Sequence, residues 1–301
     1  MYMTTIGFIG GSGIYEALGL QNTHTIEIET PFGEPAAPLT VGEVGETGRE
    51  VIFLPRHGTS HEYSPTTVPY RANIFALKQA GVTHVIASNA VGSLREEISP
   101  RMLVIPDQIY DRTKHRTSTF FSDGIVAHQQ FATPYCTELR SIVTDVAMEN
   151  TAADIDIVKD GTYVCIEGPQ FSTRAESEFY RSQGWDIIGM TTIPEAKLAR
   201  EAELAYVTIA GVTDYDVWKE DSQVTLEEVL SNAERNQKAI KSVLTAVINT
   251  IPAEHTCACH TSLAGTINTE KTAIPDSTRE DLDLLIGEYI SEDTTGGEET
   301  G

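Results

Sequence analysis

The sequence has few basic residues, few cysteines and no long apolar run. Its 301 residues include 44 acids against 21 bases, which gives a formal charge of −23. We therefore expect no broad basic face of the kind that binds nucleic acid or anionic membranes. No apolar run reaches the roughly 18 residues of a membrane span. The N-terminus enters a predicted strand without a basic or apolar leader, so we expect a cytoplasmic protein with no signal peptide and no membrane partner.

The acids are spread along the whole chain rather than gathered in one tail, and lysine is scarcer than arginine. Dense surface carboxylates keep a protein hydrated at high salt. We therefore interpret the composition as an adaptation to a halophilic cytoplasm.

The four cysteines do not indicate a disulfide framework, because no secretory signal accompanies them. Cys136 and Cys165 are interpreted as ordinary core residues. Cys257 and Cys259, followed by His260, have no second ligand pair at a zinc-finger spacing, so no metal site is expected. A redox-active pair and two free thiols both remain open.

Short apolar runs alternate with amphipathic segments along most of the chain. This alternation predicts one α/β domain built on a mixed sheet flanked by helices. Three early segments, 24–29, 37–44 and 50–54, look antiparallel and half exposed. Beyond residue 265 we predict an extension, 266–301, with one possible helix over 276–290 and a disordered acidic tail.

The ends of the predicted strands carry small and polar residues that can do chemistry. In open α/β sheets, ligands bind beyond the carboxyl ends of the strands. Taken singly, each of these loops could be a simple turn or a solvated surface loop, and the glycine-rich one lacks the dinucleotide-binding spacing. The loops are Gly10-Gly-Ser-Gly13, Pro55-Arg-His-Gly58, Ser88-Asn-Ala-Val-Gly-Ser93, Glu167-Gly-Pro-Gln-Phe-Ser172, Met190-Thr191 and Thr213-Asp-Tyr-Asp216.

The last loop places two acids directly after the apolar run 205–212. On an extended segment Asp214 and Asp216 point the same way, so they could serve as a proton donor and its partner. Burying them costs free energy unless a ligand needs them. The alternative is a strand that ends in a solvated loop.

Together the loops suit two kinds of ligand. The glycine-rich loop, the Arg56-His57 pair and the hydroxyl and amide side chains suit a tetrahedral oxyanion. Phe171, Ser172 and the aspartates suit a flat heterocycle with hydrogen-bonding edges, and a thioether such as Met190 can pack against a sugar. Phosphate beside a base and a sugar indicates a nucleoside that is cleaved by phosphate.

These motifs, with Met190-Thr-Thr-Ile-Pro-Glu195, resemble the methylthioadenosine phosphorylase branch of the trimeric purine nucleoside phosphorylase family, from about residue 6 to residue 251. The resemblance implies a single-domain phosphorylase over 1–265, with a mixed sheet distorted into a barrel, assembled as a homotrimer or a dimer of trimers. It implies phosphate as co-substrate, no metal and no organic cofactor. The implied phosphate-binding residues are Ser12, Arg56, His57, Asn89, Ala90 and Thr191. The implied substrate-binding residues are Phe171, Ser172, Met190, His61 and His128, and one of these two histidines comes from a neighbouring subunit. The implied catalytic residues, which also bind the base, are Asp214 and Asp216.

Some positions depart from the family pattern. Ser12 and Asn89 stand where relatives often carry threonine, and Gln170 replaces a frequent arginine. The pair Cys257 and Cys259 resembles archaeal members, in which such pairs can be disulfide-bonded.

The expected reaction is phosphorolysis of methylthioadenosine, with Asp214 as the general acid at purine N7. A carboxylate can also accept from the 6-amino group of adenine, which favours a 6-aminopurine. The alternatives are a phosphorylase for 6-oxopurine nucleosides or adenosine, a non-catalytic nucleoside-binding protein and a hydrolase.

Overall fold

One mixed sheet organises the molecule, as the sequence predicts. The computed structural model describes residues 3–11, 19–44, 48–150, 155–219, 226–254 and 257–291. The strands of this part of the chain are β1 (Ile6–Gly10), β2 (Gln21–Ile26), β3 (Leu39–Val44), β4 (Arg49–Pro55), β5 (His84–Ser93), β6 (Leu103–Ile105), β7 (Gln108–Arg112), β8 (Ile157–Lys159), β9 (Thr162–Ile166), β10 (Ile187–Gly189) and β11 (Ala205–Asp214).

The strands lie in the order β2-β3-β4-β1-β5-β10-β9-β7, while β11 pairs with both β5 and β6, and β8 pairs with β6. Strand β5 is the junction, because it pairs in parallel with β1 and β11 and antiparallel with β10. Three strands that meet at β5 therefore bring their terminal loops close together.

Helices cover the sheet on two sides and form two large apolar clusters with it. Branched aliphatic residues fill the central strands, as expected for strands buried on both faces. Helices α2 and α5 pack on one side, while α1, α4 and α6 pack on the other. The helices of the described residues are α1 (Tyr70–Gln79), α2 (Thr137–Glu149), α3 (Arg174–Ser182), α4 (Thr192–Glu201), α5 (Leu226–Thr250) and α6 (Asp276–Ile290). No helix in these ranges is long and apolar enough to cross a membrane.

The early strands pair antiparallel, as predicted, but none of them is half exposed: β2 is exposed along most of its length. Strands β3 and β4 are antiparallel to each other, but most of their residues are buried. The reason is that β4 also pairs in parallel with β1, so it lies inside the sheet rather than at its edge. Val51 and Phe53 then pack in the same cluster as Val243 and Val247 of α5.

The predicted C-terminal helix is present as α6 and has the predicted bounds. Its residues Leu282, Leu285 and Ile286 are buried and belong to the same apolar cluster as the sheet residues. The hydroxyl of Tyr289 donates to Glu203 Oε1 at 2.7 Å. Within the described residues, α6 is therefore part of the main core. The predicted tail beyond residue 291 lies outside them.

The polar segment after β7, residues 113–123, is anchored to the core. Phe120 and Phe121 are buried in the main apolar cluster. The Phe120 N–H and the Thr119 hydroxyl donate to the carboxylate of Glu201 on α4. This segment is a fixed part of the wall beside α4, because its aromatic pair supplies core packing.

Candidate active site

A cleft of about 500 Å³ lies at the loops that follow the central strands. It collects eleven of the thirteen residues that the sequence points to: Arg56, His57, His61, Asn89, Ala90, Phe171, Ser172, Met190, Thr191, Asp214 and Asp216. Ser12 falls outside the described residues. A second cleft, of about 430 Å³, lies near Arg101 and Arg235 and contains none of the predicted residues.

Arg56 is held in the cleft by a buried ion pair that the sequence analysis missed. Its Nε and Nη2 groups donate to the two carboxylate oxygens of Glu195 at 2.7 and 2.9 Å, and Nη1 donates to the Ser88 carbonyl at 2.9 Å. Burial disfavours the charge, but the adjacent Glu195 outweighs it and raises the pKa of Arg56. A guanidinium has five N–H donors, so two remain for an anion.

Glu195 is itself fixed from a second direction. It is 1% exposed and accepts a hydrogen bond of 2.8 Å from the Tyr206 hydroxyl on β11. Because both of its charge-stabilising partners are buried, Glu195 sets the plane of the Arg56 guanidinium. The available sequence signal was a single carboxylate among apolar positions of a predicted helix.

His57 is neutral at physiological pH. Burial, followed by the charge of Arg56, lowers its pKa to about 4. Its Nδ1 lies 2.8 Å from the Tyr63 carbonyl, which can only accept, so Nδ1 carries the proton. Nε2 is then an acceptor, suited to a protonated oxygen of phosphate. The ring stacks on His61 with centroids 4.5 Å apart.

The low pKa of His57 predicts a loss of stability in acid. In the unfolded chain this histidine takes up a proton near pH 6.5, whereas in the folded chain it does so only near pH 4. Its contribution is thus present above pH 6.5 and is lost as the pH falls through that window, by at most about 3 kcal/mol. Denaturant unfolding from pH 7 to pH 4 should show a smaller loss for His57→Gln than for the wild type. Equal losses in the two proteins would contradict the assignment.

Asn89 orients Thr191 beside this pair. The Asn89 amide donates to Thr191 Oγ1 at 2.6 Å, so the hydroxyl proton of Thr191 is directed to another acceptor. Both side chains are buried at the wall of the cleft. Asn89 thus has a definite structural task, which is to orient the Thr191 hydroxyl.

The two aspartates lie at the end of β11, as predicted, and both are buried, with 5% of Asp214 and 3% of Asp216 exposed. A β-bulge between Val212 and Asp214 turns the strand end away from regular pairing with β5. Asp214 accepts from the Thr213 hydroxyl at 2.7 Å and from the Asp216 N–H at 2.8 Å. These bonds fix the orientation of the Asp214 carboxylate relative to its neighbour.

Asp216 is adapted to hold a proton. Burial, assisted by the nearby charge of Asp214, raises its pKa to about 6. Its Oδ2 is buried and has no hydrogen-bond partner among the described residues. Asp216 therefore retains its proton at a higher pH than a solvated aspartate does.

Close packing around the aspartates depends on Gly92 of β5. A Cβ atom at this position would lie 2.9 Å from Asp214 Oδ1 and 3.4 Å from the Asp216 Cβ. Two asparagines of α5 hold the strand from the other side: Asn232 donates to the Thr213 carbonyl at 2.7 Å and Asn236 to the Val212 carbonyl at 2.9 Å.

Phe171, Ser172 and Met190 form the less polar part of the lining. Phe171 is half exposed at the cleft, and Ser172 Oγ is buried with no partner in the described part of the chain. Gly168 has a φ of 66°, and a Cβ there would lie 2.5 Å from the Met190 sulfur. Glycine at this position allows the thioether to sit against the loop that carries Phe171.

Arg116 joins the two loops that carry these residues, a role that the sequence analysis missed. Its side chain is 1% exposed, and it donates to the carbonyls of Met190 and Ile193, each at 2.5 Å, and of Glu167 at 2.6 Å. Burial raises the pKa of Glu167, but hydrogen bonds from the Lys114 N–H and the Thr66 hydroxyl, together with the charge of Arg116, lower it to about 2. Arg116 thereby fixes the Met190 side of the cleft relative to the Phe171 side.

His128 is the one described residue of the predicted set that does not line the cleft. Its side chain is exposed, and its backbone N–H donates to the Thr266 carbonyl at 2.9 Å. Within one chain it therefore lies beside the C-terminal segment.

Comparison with known proteins decides the family. The model of the phosphorylase superfamily matches residues 5–249, which is most of the chain. The chain belongs to the phosphorylase superfamily.

Individual superfamily members are similar over nearly their whole length. An S-methyl-5′-thioadenosine phosphorylase of Koribacter versatilis is 48% identical over 97% of this chain and 98% of its own. One from Geobacter sulfurreducens is 49% identical over 95% of this chain and 99% of its own.

Solved structures from the superfamily share the fold. A methylthioadenosine phosphorylase from an antarctic soil metagenomic library has a TM-score of 0.88 at 44% identity, covering 95% of this chain and 99% of its own. A methylthioadenosine phosphorylase from Schistosoma mansoni, in complex with adenine, has a TM-score of 0.78 at 33% identity, covering 94% and 98%.

Proposed function

We propose that this chain catalyses the reversible phosphorolysis of S-methyl-5′-thioadenosine to adenine and 5-methylthioribose 1-phosphate, a step of purine salvage. The observation that carries the proposal is one cleft that holds both a buried aspartate pair and a phosphate-type set, Arg56, His57 and Thr191. The names of the relatives, at 48% and 49% identity over nearly the full chain, support the same substrate.

In the proposed reaction the bond between C1′ and purine N9 breaks while a phosphate oxygen bonds to C1′ from the opposite face. The sugar passes through an oxocarbenium-like state, as in an inverting glycosidase with phosphate in place of water. Arg56 supplies two N–H donors to phosphate, and Thr191 supplies its hydroxyl. Neutral His57 accepts from a protonated phosphate oxygen. Phosphate is a co-substrate, and these steps require no metal and no organic cofactor.

The leaving purine needs a proton at N7, because a purine anion is a poor leaving group. Asp214 is proposed as this donor, and general acid catalysis of this kind contributes about 10²–10⁴-fold. Asp216, whose pKa is raised to about 6, supports the pair in its protonated form and accepts from the 6-amino group once ionised.

The lining of the cleft indicates which base and which 5′ group the substrate carries. Two carboxyl groups can accept from the amino group of adenine, whereas a 6-oxopurine offers them an acceptor. Three side chains of α5, Val229, Leu230 and Ala233, line the same cleft. Leu230 is an apolar side chain that is 60% exposed, and it lies at the cleft. Apolar side chains there suit a methylthio group better than a hydroxyl.

Base release with and without phosphate tests the proposal. We expect adenine to appear from methylthioadenosine only when phosphate is added, and to be accompanied by a sugar 1-phosphate. Release without phosphate would indicate a hydrolase, and binding without release a non-catalytic protein. Initial rates on methylthioadenosine, adenosine and inosine test the preference for adenine and for the methylthio group. A preference for inosine would contradict the assignment of methylthioadenosine as the substrate.

The assembly and setting of the enzyme are also proposed. We infer a homotrimer or a dimer of trimers, in which His128 reaches the 5′ group of a neighbouring subunit's substrate; a monomeric mass by sedimentation would contradict this. The charge of −23 supports a halophilic, archaeal cytoplasm. Full activity in dilute buffer, with no gain in stability up to molar salt, would contradict the halophilic assignment. Recovery of the native protein outside the soluble cell fraction would contradict the cytoplasmic assignment.

A further inference from the structure

Three cysteines that are far apart in the sequence meet on the side of the sheet covered by α2 and α5. The sulfurs of Cys136, Cys257 and Cys259 all lie within 4.8 Å of one another, and all three residues are buried. Cys136 is therefore not the ordinary core residue that the sequence suggests. The fourth cysteine, Cys165, lies in a different apolar cluster.

Local structure aims the three sulfurs at one point. Cys136 caps the N-terminus of α2, where its sulfur accepts from the Leu139 N–H at 3.5 Å, and its own N–H donates to the Tyr206 carbonyl at 2.8 Å. Cys257 precedes a 3₁₀ helix over Ala258–Thr261, which also contains Cys259. Two cysteines come from one tight turn and the third from a helix end that is tied to β11.

His260 can supply a fourth ligand, but its ring nitrogens lie outside the 4.8 Å group formed by the three sulfurs, so the ring must turn toward them to bind the same ion. The imidazole of His260 contacts the Cys257 thiol. Its Nε2 lies 3.2 Å from the Thr83 carbonyl and therefore carries the proton, which leaves Nδ1 as the nitrogen with a lone pair. Histidines that bind metals are usually oriented in this way, with the second ring nitrogen donating to a backbone carbonyl.

We propose that Cys136, Cys257, Cys259 and His260 bind one zinc ion that fastens the turn at 257–261 to α2. Three sulfurs and one imidazole form a standard structural zinc set. Zn–S bonds of about 2.3 Å in a tetrahedron place sulfurs about 3.8 Å apart, so the observed cluster needs only a modest contraction. Soft thiolate ligands select Zn²⁺ over Mg²⁺ or Ca²⁺.

The position of the cluster defines its role. It is built from the apolar cluster that contains α2 and α5, whereas the cleft residues lie at the strand ends. The zinc ion is therefore a structural cross-link. It joins the segment after α5 to the body of the sheet and takes no part in cleaving the nucleoside.

Metal content of the full, untagged chain tests the proposal. The protein is expressed with added zinc, purified under reducing conditions without chelator, and measured by plasma mass spectrometry. We expect about one zinc ion per chain. Co²⁺ added to the metal-free protein should give the visible bands of a tetrahedral site together with thiolate-to-metal charge transfer.

Variants locate the ligands. Cys257→Ser and Cys136→Ser should weaken zinc binding by at least about 100-fold, and His260→Ala by at least about tenfold. Cys165→Ala is the matched control, because it removes a buried cysteine and leaves the cluster intact; it should bind zinc as the wild type does. The wild-type measurement stands by itself if a cysteine variant fails to fold.

Three results would overturn the proposal. One is reduced wild-type protein that binds neither Zn²⁺ nor Co²⁺. Another is protein purified without air that contains a disulfide between Cys257 and Cys259 instead of metal. The third is a folded Cys136→Ser variant that binds zinc as tightly as the wild type. If His260→Ala binds zinc as tightly as the wild type, the histidine is not one of the ligands.

Discussion

Replacing Asp214 by asparagine should lower kcat/KM for methylthioadenosine by about 10²–10⁴-fold, the usual contribution of a general acid. Asparagine can still form a hydrogen bond to purine N7, but it cannot transfer a proton as the bond to C1′ breaks. The loss should therefore appear in kcat more than in KM, and it should be larger for substrates with poorer leaving groups. Steady-state rates with the purine varied measure both effects.

The substitution should leave the fold intact, because the two hydrogen bonds described above for Asp214 both have replacements. The asparagine oxygen can accept from the Asp216 N–H, as Asp214 Oδ1 does at 2.8 Å. The Thr213 hydroxyl can instead donate to the Val91 carbonyl, 3.1 Å away, and accept from the new amide. Thermal unfolding of the variant should thus resemble that of the wild type.

Asp216→Asn is the matched control, since it changes the same group two residues along the chain. It removes one hydrogen-bonded carboxyl from the base site, so we expect a loss of only about tenfold. A wild-type rate in Asp214→Asn, or a larger loss in Asp216→Asn, would assign the proton donor to Asp216 instead. The raised pKa of Asp216 makes this a real alternative.

The sheet and most of the cleft could be predicted because their signals are local. The run at 205–212 is apolar throughout, and the structure buries it completely as β11. Thr173 and Glu176 predict a capping box from their spacing, and both of its hydrogen bonds are present at the start of α3. Since strand ends meet at one edge of a sheet, placing a motif on a strand also places it in space.

The supports of the site could not be predicted, because each is a contact between distant parts of the chain. Arg56 and Glu195 are 139 residues apart, and Arg116 reaches the Met190 carbonyl across 74 residues. Cys136 meets Cys257 only because α2 and the segment after α5 pack on the same side of the sheet. The spacing of these residues along the sequence does not predict that they are in contact. Only the folded structure shows that their charged groups and sulfur atoms are buried together.

Arg56→Met should be the most destabilising substitution in the cleft. It leaves the Glu195 carboxylate buried with the Tyr206 hydroxyl as its remaining hydrogen-bond donor among the described residues, and a buried charge without its counter-charge costs about 3–5 kcal/mol. It also removes two N–H donors from the proposed phosphate site, so the KM for phosphate should rise by about 10- to 100-fold. Denaturant unfolding and phosphate titrations at saturating nucleoside measure the two effects separately.

The double variant Arg56→Met with Glu195→Met separates stability from binding. Removing both charges replaces a buried ion pair with apolar groups of similar length, which restores most of the lost stability. Phosphate binding should not recover, because the guanidinium is still absent. Arg49→Met is the control for losing an arginine, since Arg49 donates to the Ile248 and Ile251 carbonyls away from the cleft and should leave the KM for phosphate unchanged. A double variant with the wild-type KM would mean that Arg56 serves only to neutralise Glu195, and the phosphate site would then rest on His57 and Thr191.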